Sequence, residues 1–189
     1  MDLIRAIKER RSVNKFSHKT PDWRKIVRAI DAARYAPSAG NNFVMKFILV
    51  SDADKIKEIA KATQQDFVYS AKYIVVAVSD DSKLVKIYKD RGVRYSSQQA
   101  GAAIENFLLA LTEFGLETTW VGYFYEDEIK SALSIPDEKI VEAVFPIGLI
   151  LKGARKPTVK KVELENTLYF EKWGMKLMVP KTKVRMDRA

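Results

Sequence analysis

Three short stretches of this 189-residue chain carry residue types able to do chemistry. Arg10-Arg11-Ser12 puts two guanidiniums and a hydroxyl directly after a predicted helix. With free N–H groups in the turn, these groups can hold a phosphate bidentately. The same cations also suit a solvated helix C-terminus, where the dipole favours positive charge. The second stretch is RYAPSAGNNF, residues 34–43, between a helical pattern and a strand pattern. Pro37, Ser38, Gly40, Asn41 and Asn42 fit a turn, since Pro fixes φ while Gly and Asn tolerate positive φ. They equally fit a ligand that needs exposed backbone N–H groups and small side chains. The third is Arg155, flanked by Lys152 and Lys156 after the last predicted strand, on its own a basic loop.

Composition removes several chemistries. There is no Cys and a single His, His18. Disulfides, thiolate nucleophiles, Cys-ligated metals and multi-His metal sites are excluded. A Ser-His-Asp triad would have to use His18, and no nucleophile elbow accompanies it. Redox chemistry must therefore be carried by a bound organic cofactor. None of the eight glycines forms a G-x-G pair, so the dinucleotide fingerprint is missing. Gly148 to Gly153 has P-loop spacing, but Ala154-Arg155 replaces the required Lys-Ser/Thr. The net charge of +9 favours acidic partners, whether phosphorylated cofactors, anionic substrates or nucleic acid, unless it reflects only a Lys-rich surface. No apolar run reaches the roughly 18 residues of a membrane span. The N-terminus, MDLIRAIKERR, lacks a signal-peptide h-region, which makes the cytoplasm the expected location.

The elements that must position these residues follow from periodicity. Residues 2–10 form a short helix with Leu3, Ile4 and Ile7 on one face. Thr20-Pro21 reads as an N-cap and first-turn Pro, starting a helix that runs to about Tyr35. Phe43–Ser51 is a strand, and Asp52 or Asp54 caps the helix after it. Tyr73–Val78 is a buried strand. From about Ser96 to Phe114 an apolar pattern nearly surrounds the helix, so it is buried in a core or at a subunit interface, with Gly115 at the C′ position. Thr118–Phe124 is a strand, Glu126–Leu133 a helix, and Ile140–Leu151 the last strand, where Pro146 argues for an edge position or an irregularity. After Gly153 the pattern changes to mixed charges with Tyr169, Phe170 and Trp173, aromatics that must wrap their own domain or a partner. The expected fold is an α+β domain, helices around one modest mixed or antiparallel sheet. Residues 1–153 form its core and 154–189 an arm.

RRSVNKF, APSAGNNFVMKF, GAAIENFLLALTEFGLETTWVGYF and ARKP, in this order, resemble the FMN-dependent nitroreductase family over essentially the whole chain. The resemblance implies a homodimer that exchanges C-terminal arms, with two flavins at the subunit interface. It implies that Pro37, Ser38, Ala39 and Asn41 line the flavin, and that Arg10, Arg11 and Ser12 grip its phosphate and ribityl chain. Asn14 stands where many members have Arg or Lys, so the grip is altered there. Arg155 matches a late basic residue that reaches the phosphate. Trp120, Val121, Gly122 and Tyr123 match a segment passing one flavin face, and Gln65 resembles a polar residue near the pyrimidine edge. Phe43-Val44-Met45 replaces the usual Gln-Pro-Trp.

The activity implied is an FMN-dependent NAD(P)H oxidoreductase. It would reduce nitroaromatics, quinones or flavins by ping-pong hydride transfer through flavin N5, with NADH or NADPH as donor and a small molecule as acceptor. No side-chain nucleophile is needed, and no catalytic residue or metal is assigned. Alternatives on the same scaffold are a flavin reductase, a dehalogenase or a flavin-fragmenting synthase. From another class, a basic nucleic-acid-binding protein with a vestigial flavin site would use the tail PKTKVRMDRA, although its basic residues are dispersed and no recognition motif accompanies them. The expected partners therefore include neither nucleic acid nor membrane.

Overall fold

The computed structural model describes residues 2–154, 158 and 161–178. The chain divides into two compact units, residues 1–157 and 158–189.

In the first unit the elements run α1 (Leu3–Glu9), α2 (Trp23–Ala33), β1 (Met45–Val50), α3 (Ala53–Thr63), β2 (Tyr73–Ser79), α4 (Ser82–Tyr88), α5 (Asp90–Glu113), β3 (Glu117–Thr118), α6 (Glu126–Leu133) and β4 (Ile140–Gly148). The four strands form one antiparallel sheet in the order β1-β2-β4-β3. Strand alternation divides its side chains between two cores. Ile74, Val76, Val78 and Val144 pack with Ile56, Ile59 and Ile129 of α3 and α6. Val75, Ala77, Phe145 and Ile147 pack on the other face with Ile26, Ala29, Ile104, Phe107 and Leu111 of α2 and α5. The expected helices around an antiparallel sheet are thus present as three layers.

Helix ends follow local chemistry. Asp2 and Asp52 cap α1 and α3, each carboxylate accepting backbone N–H groups of the first turn. The predicted start of α2 at Thr20-Pro21 is displaced: Asp22 is the cap, accepting from the Arg24 N–H at 3.0 Å and from its guanidinium at 2.9 Å. A carboxylate that binds both the backbone and the side chain of one residue outcompetes a threonine hydroxyl. Helix α5 starts at Asp90 rather than Ser96, and α4 precedes it without having been predicted. The boundary between them is Lys89, in a positive-φ conformation (52°) that no glycine signals. At the other end of α5 the Gly115 N–H donates to Thr112 O at 3.1 Å and the Leu116 N–H to Leu111 O at 2.9 Å. That pair of bonds is a Schellman motif, with Gly115 as C′.

The predicted strand Thr118–Phe124 is cut to two residues, and Pro146 is the reason. Thr118 pairs with Ile147 and Val121 bridges Val144, so Thr119 falls opposite Pro146 in the same register. Thr118 Oγ1 donates to Pro146 O, which puts that carbonyl on the β3 side of β4. The nitrogen of a strand residue points the same way as its carbonyl, so the donor that proline lacks is missing on the β3 side. Pro146 thus sits in an interior strand as an irregularity, not on an edge.

In place of the lost strand, the segment after α1 crosses the sheet end. Ser12 bridges Thr118 in parallel, the Val13 N–H donates to Thr118 O at 2.9 Å, and Phe16 bridges Ile150. Phe16 lies over Gly148, where a Cβ would come within 2.5 Å of its ring. Gly148→Ala is expected to destabilise the protein by roughly 1–3 kcal/mol through overpacking, measured as a lower thermal midpoint.

A register shift between Ala77 and Val78 leaves Glu142 as the extra residue of a β-bulge in β4. Burial pushes its carboxyl above the ordinary glutamate value of 4.5, only partly offset by the hydrogen bond from Ser79 Oγ at 2.6 Å. A raised carboxyl pKa means that the folded state holds the proton more tightly than the unfolded chain. This group therefore favours folding most below its ordinary pKa and penalises it as pH rises through the raised value. Glu142→Gln keeps the acceptor and removes the charge. It is expected to be more stable than the parent at neutral pH, with the advantage vanishing in acid below about 4.5; thermal melts across pH measure it.

In the second unit, the Tyr169 and Trp173 rings lie 4.9 Å apart and the Lys176 ammonium sits 4.4 Å over Tyr169. Phe170 N–H donates to Met175 O at 2.8 Å. Trp173 is 92% exposed, so this local cluster does not bury its largest ring.

Candidate functional site

Residues brought together by the crossing segment form a cleft of about 240 Å³. Arg10, Arg11 and Ser12 stand on one side, Glu105, Leu108 and Thr112 of α5 on another, and Glu117, Thr118 and Trp120 close it. One backbone bond and one side-chain bond do the stitching. Val13 N–H to Thr118 O and Thr119 Oγ1 to Val13 O, at 2.9 and 2.8 Å, lock Ser12 beside the 117–120 segment. Trp120 is fixed by an edge-to-face contact with Phe145 at 5.7 Å. Phe145 meets Phe107 at 5.4 Å, which meets Phe47 at 5.9 Å. This chain of rings runs from the cleft into the core, each contact worth about 0.5–1.5 kcal/mol beyond its burial.

The two arginines are both engaged. Arg10 Nε lies 3.6 Å from Glu105 Oε1. Arg11 Nη1 donates to Lys8 O and Arg10 O, both at 2.6 Å, satisfying carbonyls that the C-terminus of α1 leaves open. The helix-terminus role weighed for these cations is real for Arg11. It does not compete with anion binding in principle, since a guanidinium has further donors.

The other expected contacts fall elsewhere. The Pro37–Asn41 loop lies next to Tyr88 and to Gln99 near the start of α5. Gln99 and Glu105, the nearest α5 residue of the cleft lining, are six residues apart, roughly 9 Å along the axis, and Thr112 is roughly 20 Å away. The loop and the cleft therefore meet different stretches of α5 within one chain. Pro37, Gly40 and Asn41 are exposed, while Ser38 and Ala39 are half-buried. Gln65 is half-buried just past the end of α3, on the other face of the sheet. There Gln64 Nε2 donates to the Tyr125 hydroxyl at 3.3 Å, and Tyr125 N–H to Ala62 O at 2.9 Å. Val121 is buried in its bridge to Val144, whereas Gly122 and Tyr123 are exposed beyond it. Asn14 is exposed past the cleft lining. Arg155 lies outside the described residues.

The sequence reading passed over Glu105, Thr112, Glu117, Tyr88 and Gln99. Gln99 had a detectable signal. It lies on the apolar stripe of α5 with Ala103 and Phe107, and a polar group on a buried stripe usually has a partner. Among the described residues no group of three or more His, Asp or Glu is placed to hold a metal, and no helix is long and apolar enough to cross a membrane.

The Nitroreductase family profile matches residues 7–67 and 59–149. A Methanothermobacter thermautotrophicus protein with the provisional name NADH dehydrogenase/NAD(P)H nitroreductase is 29% identical over 177 residues, 92% of this chain and 88% of that protein. The crystal structure of a nitroreductase family protein from Clostridium novyi NT is 30% identical with a TM-score of 0.74, over 93% of this chain and 96% of that one. An FMN-dependent nitroreductase from Clostridium difficile R20291 shares the fold, with a TM-score of 0.75 at 21% identity over 90% and 99% of the two chains.

Proposed function

The chain belongs to the nitroreductase family, and from that premise we propose that it is an FMN-dependent NAD(P)H oxidoreductase acting as a homodimer. The observation that carries this is the cleft in which Arg10, Arg11 and Ser12 face Trp120. Its donor set suits a phosphomonoester with an adjoining polyol: two guanidiniums and a hydroxyl, beside an aromatic anchored to the core. Arg10, Arg11 and Ser12 would hold the phosphate and ribityl chain, with Arg155 as a further cation. Pro37–Asn41 and Trp120–Tyr123 would flank the ring, with Gln65 donating at its pyrimidine edge. Bound there, FMN would supply hydride transfer from NADH or NADPH to a nitroaromatic, quinone or flavin. The residues themselves bind, orient and screen. A chain with no Cys and one His fits a reaction that asks nothing more of its side chains.

The dimer follows from two features. Leu3, Ile4 and Ile7 of α1 and Trp23 and Val27 of α2 are exposed apolar side chains that a second copy would cover. The loop and cleft contact different stretches of α5, about 9 Å apart at Gln99 and Glu105, and would meet around one flavin if a second copy supplied the loop.

The protein is expected to purify yellow, release FMN on heating, and bleach anaerobically with NADH or NADPH, the colour returning when a quinone or nitroaromatic is added. Failure to take up FMN, or bleaching by a chemical reductant but by neither nicotinamide, would overturn this proposal. Arg10→Ala should weaken FMN binding about tenfold or more, since a charge-assisted contact is worth about 1.5–3 kcal/mol.

Glu105 works in the opposite direction. Its carboxylate pairs with Arg10 and faces the incoming phosphate. Glu105→Gln should therefore tighten FMN binding several-fold at low salt, less at high salt, because the carboxylate is half-exposed and screened. Fluorescence titration of the apoprotein at two ionic strengths measures both effects.

A further inference from the structure

The Pro37–Asn42 loop has a shape that needs support. Gly40 and Asn41 both take left-handed conformations, with φ of 55° and 58°. Its own bonds are few: Asn41 N–H to Ser38 O, Asn42 N–H to Ala39 O, and Asn42 Nδ2 to Ala39 O and Gly40 O, between 2.9 and 3.3 Å. Two residues outside the loop pack against it. The Tyr88 hydroxyl lies so close to Gly40 that it would have to shift to admit a Cβ there. Gln99, 3% exposed on α5, spans the loop exit: its Oε1 accepts from Val44 N–H at 2.6 Å and its Nε2 donates to Asn42 O at 3.1 Å.

A primary amide presents one acceptor beside two donors, so Gln99 reproduces the paired face of a neighbouring strand where none exists. No other side chain of this length does so at neutral pH. Glutamate lacks the donor, leucine lacks both groups, and asparagine is one methylene short. Next to it, one turn earlier on the same buried stripe, Ser96 Oγ has no hydrogen-bond partner among the described residues, so polar satisfaction is not a general property of this helix face.

We propose that Gln99 is a positioning residue for the cofactor: by clamping Asn42 and Val44 from α5, it fixes the loop in the conformation that receives the flavin ring. This rests on the flavin reading given above. The clamp couples ring binding to the register of α5, because the donor and acceptor atoms of Gln99 move with the helix.

The test uses the full chain and FMN itself. At a temperature where each protein is folded, Gln99→Leu should weaken FMN binding at least tenfold relative to the parent. Gln99→Glu should bind weakly at neutral pH and approach the parent, compared at the same pH, as acidification protonates the new carboxyl and restores a donor toward Asn42 O. Ser96→Ala should bind like the parent. A merely structural role would lower the melting temperature of the apoprotein without producing this pH recovery. If Gln99→Leu fails to fold, Gln99→Glu decides alone. Parental affinity in the Gln99 variants, or a folded Gln99→Glu that never recovers, overturns the inference while FMN binding by the parent stands. A parent that takes up no FMN overturns the flavin reading and this inference with it.

Discussion

Burial of α5 against the sheet is the constraint on which the rest depends. The helix runs from Asp90 to Glu113, about 36 Å at 1.5 Å per residue. Phe107, in its C-terminal half, is fully buried between Phe47 of β1 and Phe145 of β4. Burying such a ring contributes roughly 1.5–3 kcal/mol, and Ile104 and Leu111 add comparable amounts. A rod held so firmly makes the positions along it into fixed reference points. Gln99 holds the Pro37–Asn42 loop; further along, Glu105, Leu108 and Thr112 line the arginine cleft.

The cleft itself is a compromise of charges rather than a simple cationic pocket. Arg10 faces Glu105, Arg11 is drawn onto the carbonyls ending α1, and Glu117 lines the same space. Removing both arginines from bulk solvent without partners would be costly. A phosphate bound there would replace part of an existing network, so its net gain would be the difference between two sets of charge-assisted bonds. Position in the cleft comes from the pairing of Ser12–Val13 with Thr118–Thr119.

That proline shows how one residue acts at two levels. Its type was readable in the sequence and promised an irregularity, which β4 contains. What it did to its neighbours was not readable, because the effect falls on Thr119, 27 positions earlier, through a register that only strand pairing sets. The same limit explains the shortened strand at Thr118; the displaced start of α2 and the unforeseen α4 have local causes. In α2 a carboxylate two residues past the expected cap made the better pair of bonds. Before α5 the break sits at Lys89, a residue type that gives no turn signal.

The sequence by itself determined the class of the protein. Periodicity marked α3, β2, the apolar stripe of α5, α6 and β4, because alternation and helical spacing are local consequences of which face meets the core. Ordered motifs carried the nitroreductase resemblance, and missing Cys and multiple His left redox work to a bound cofactor. Only the tertiary structure decided which residues share a site. It joined Arg10, Arg11 and Ser12 to Trp120 and Glu105, and held the Pro37–Asn42 loop on Gln99, a separate position of α5. It also turned Gln99 from one polar letter in SSQQAGAA into the clamp of a loop 57 positions away. The physical reason is that hydrogen bonds and ion pairs form across space between elements whose register is set by the packed core, and no local pattern encodes that register.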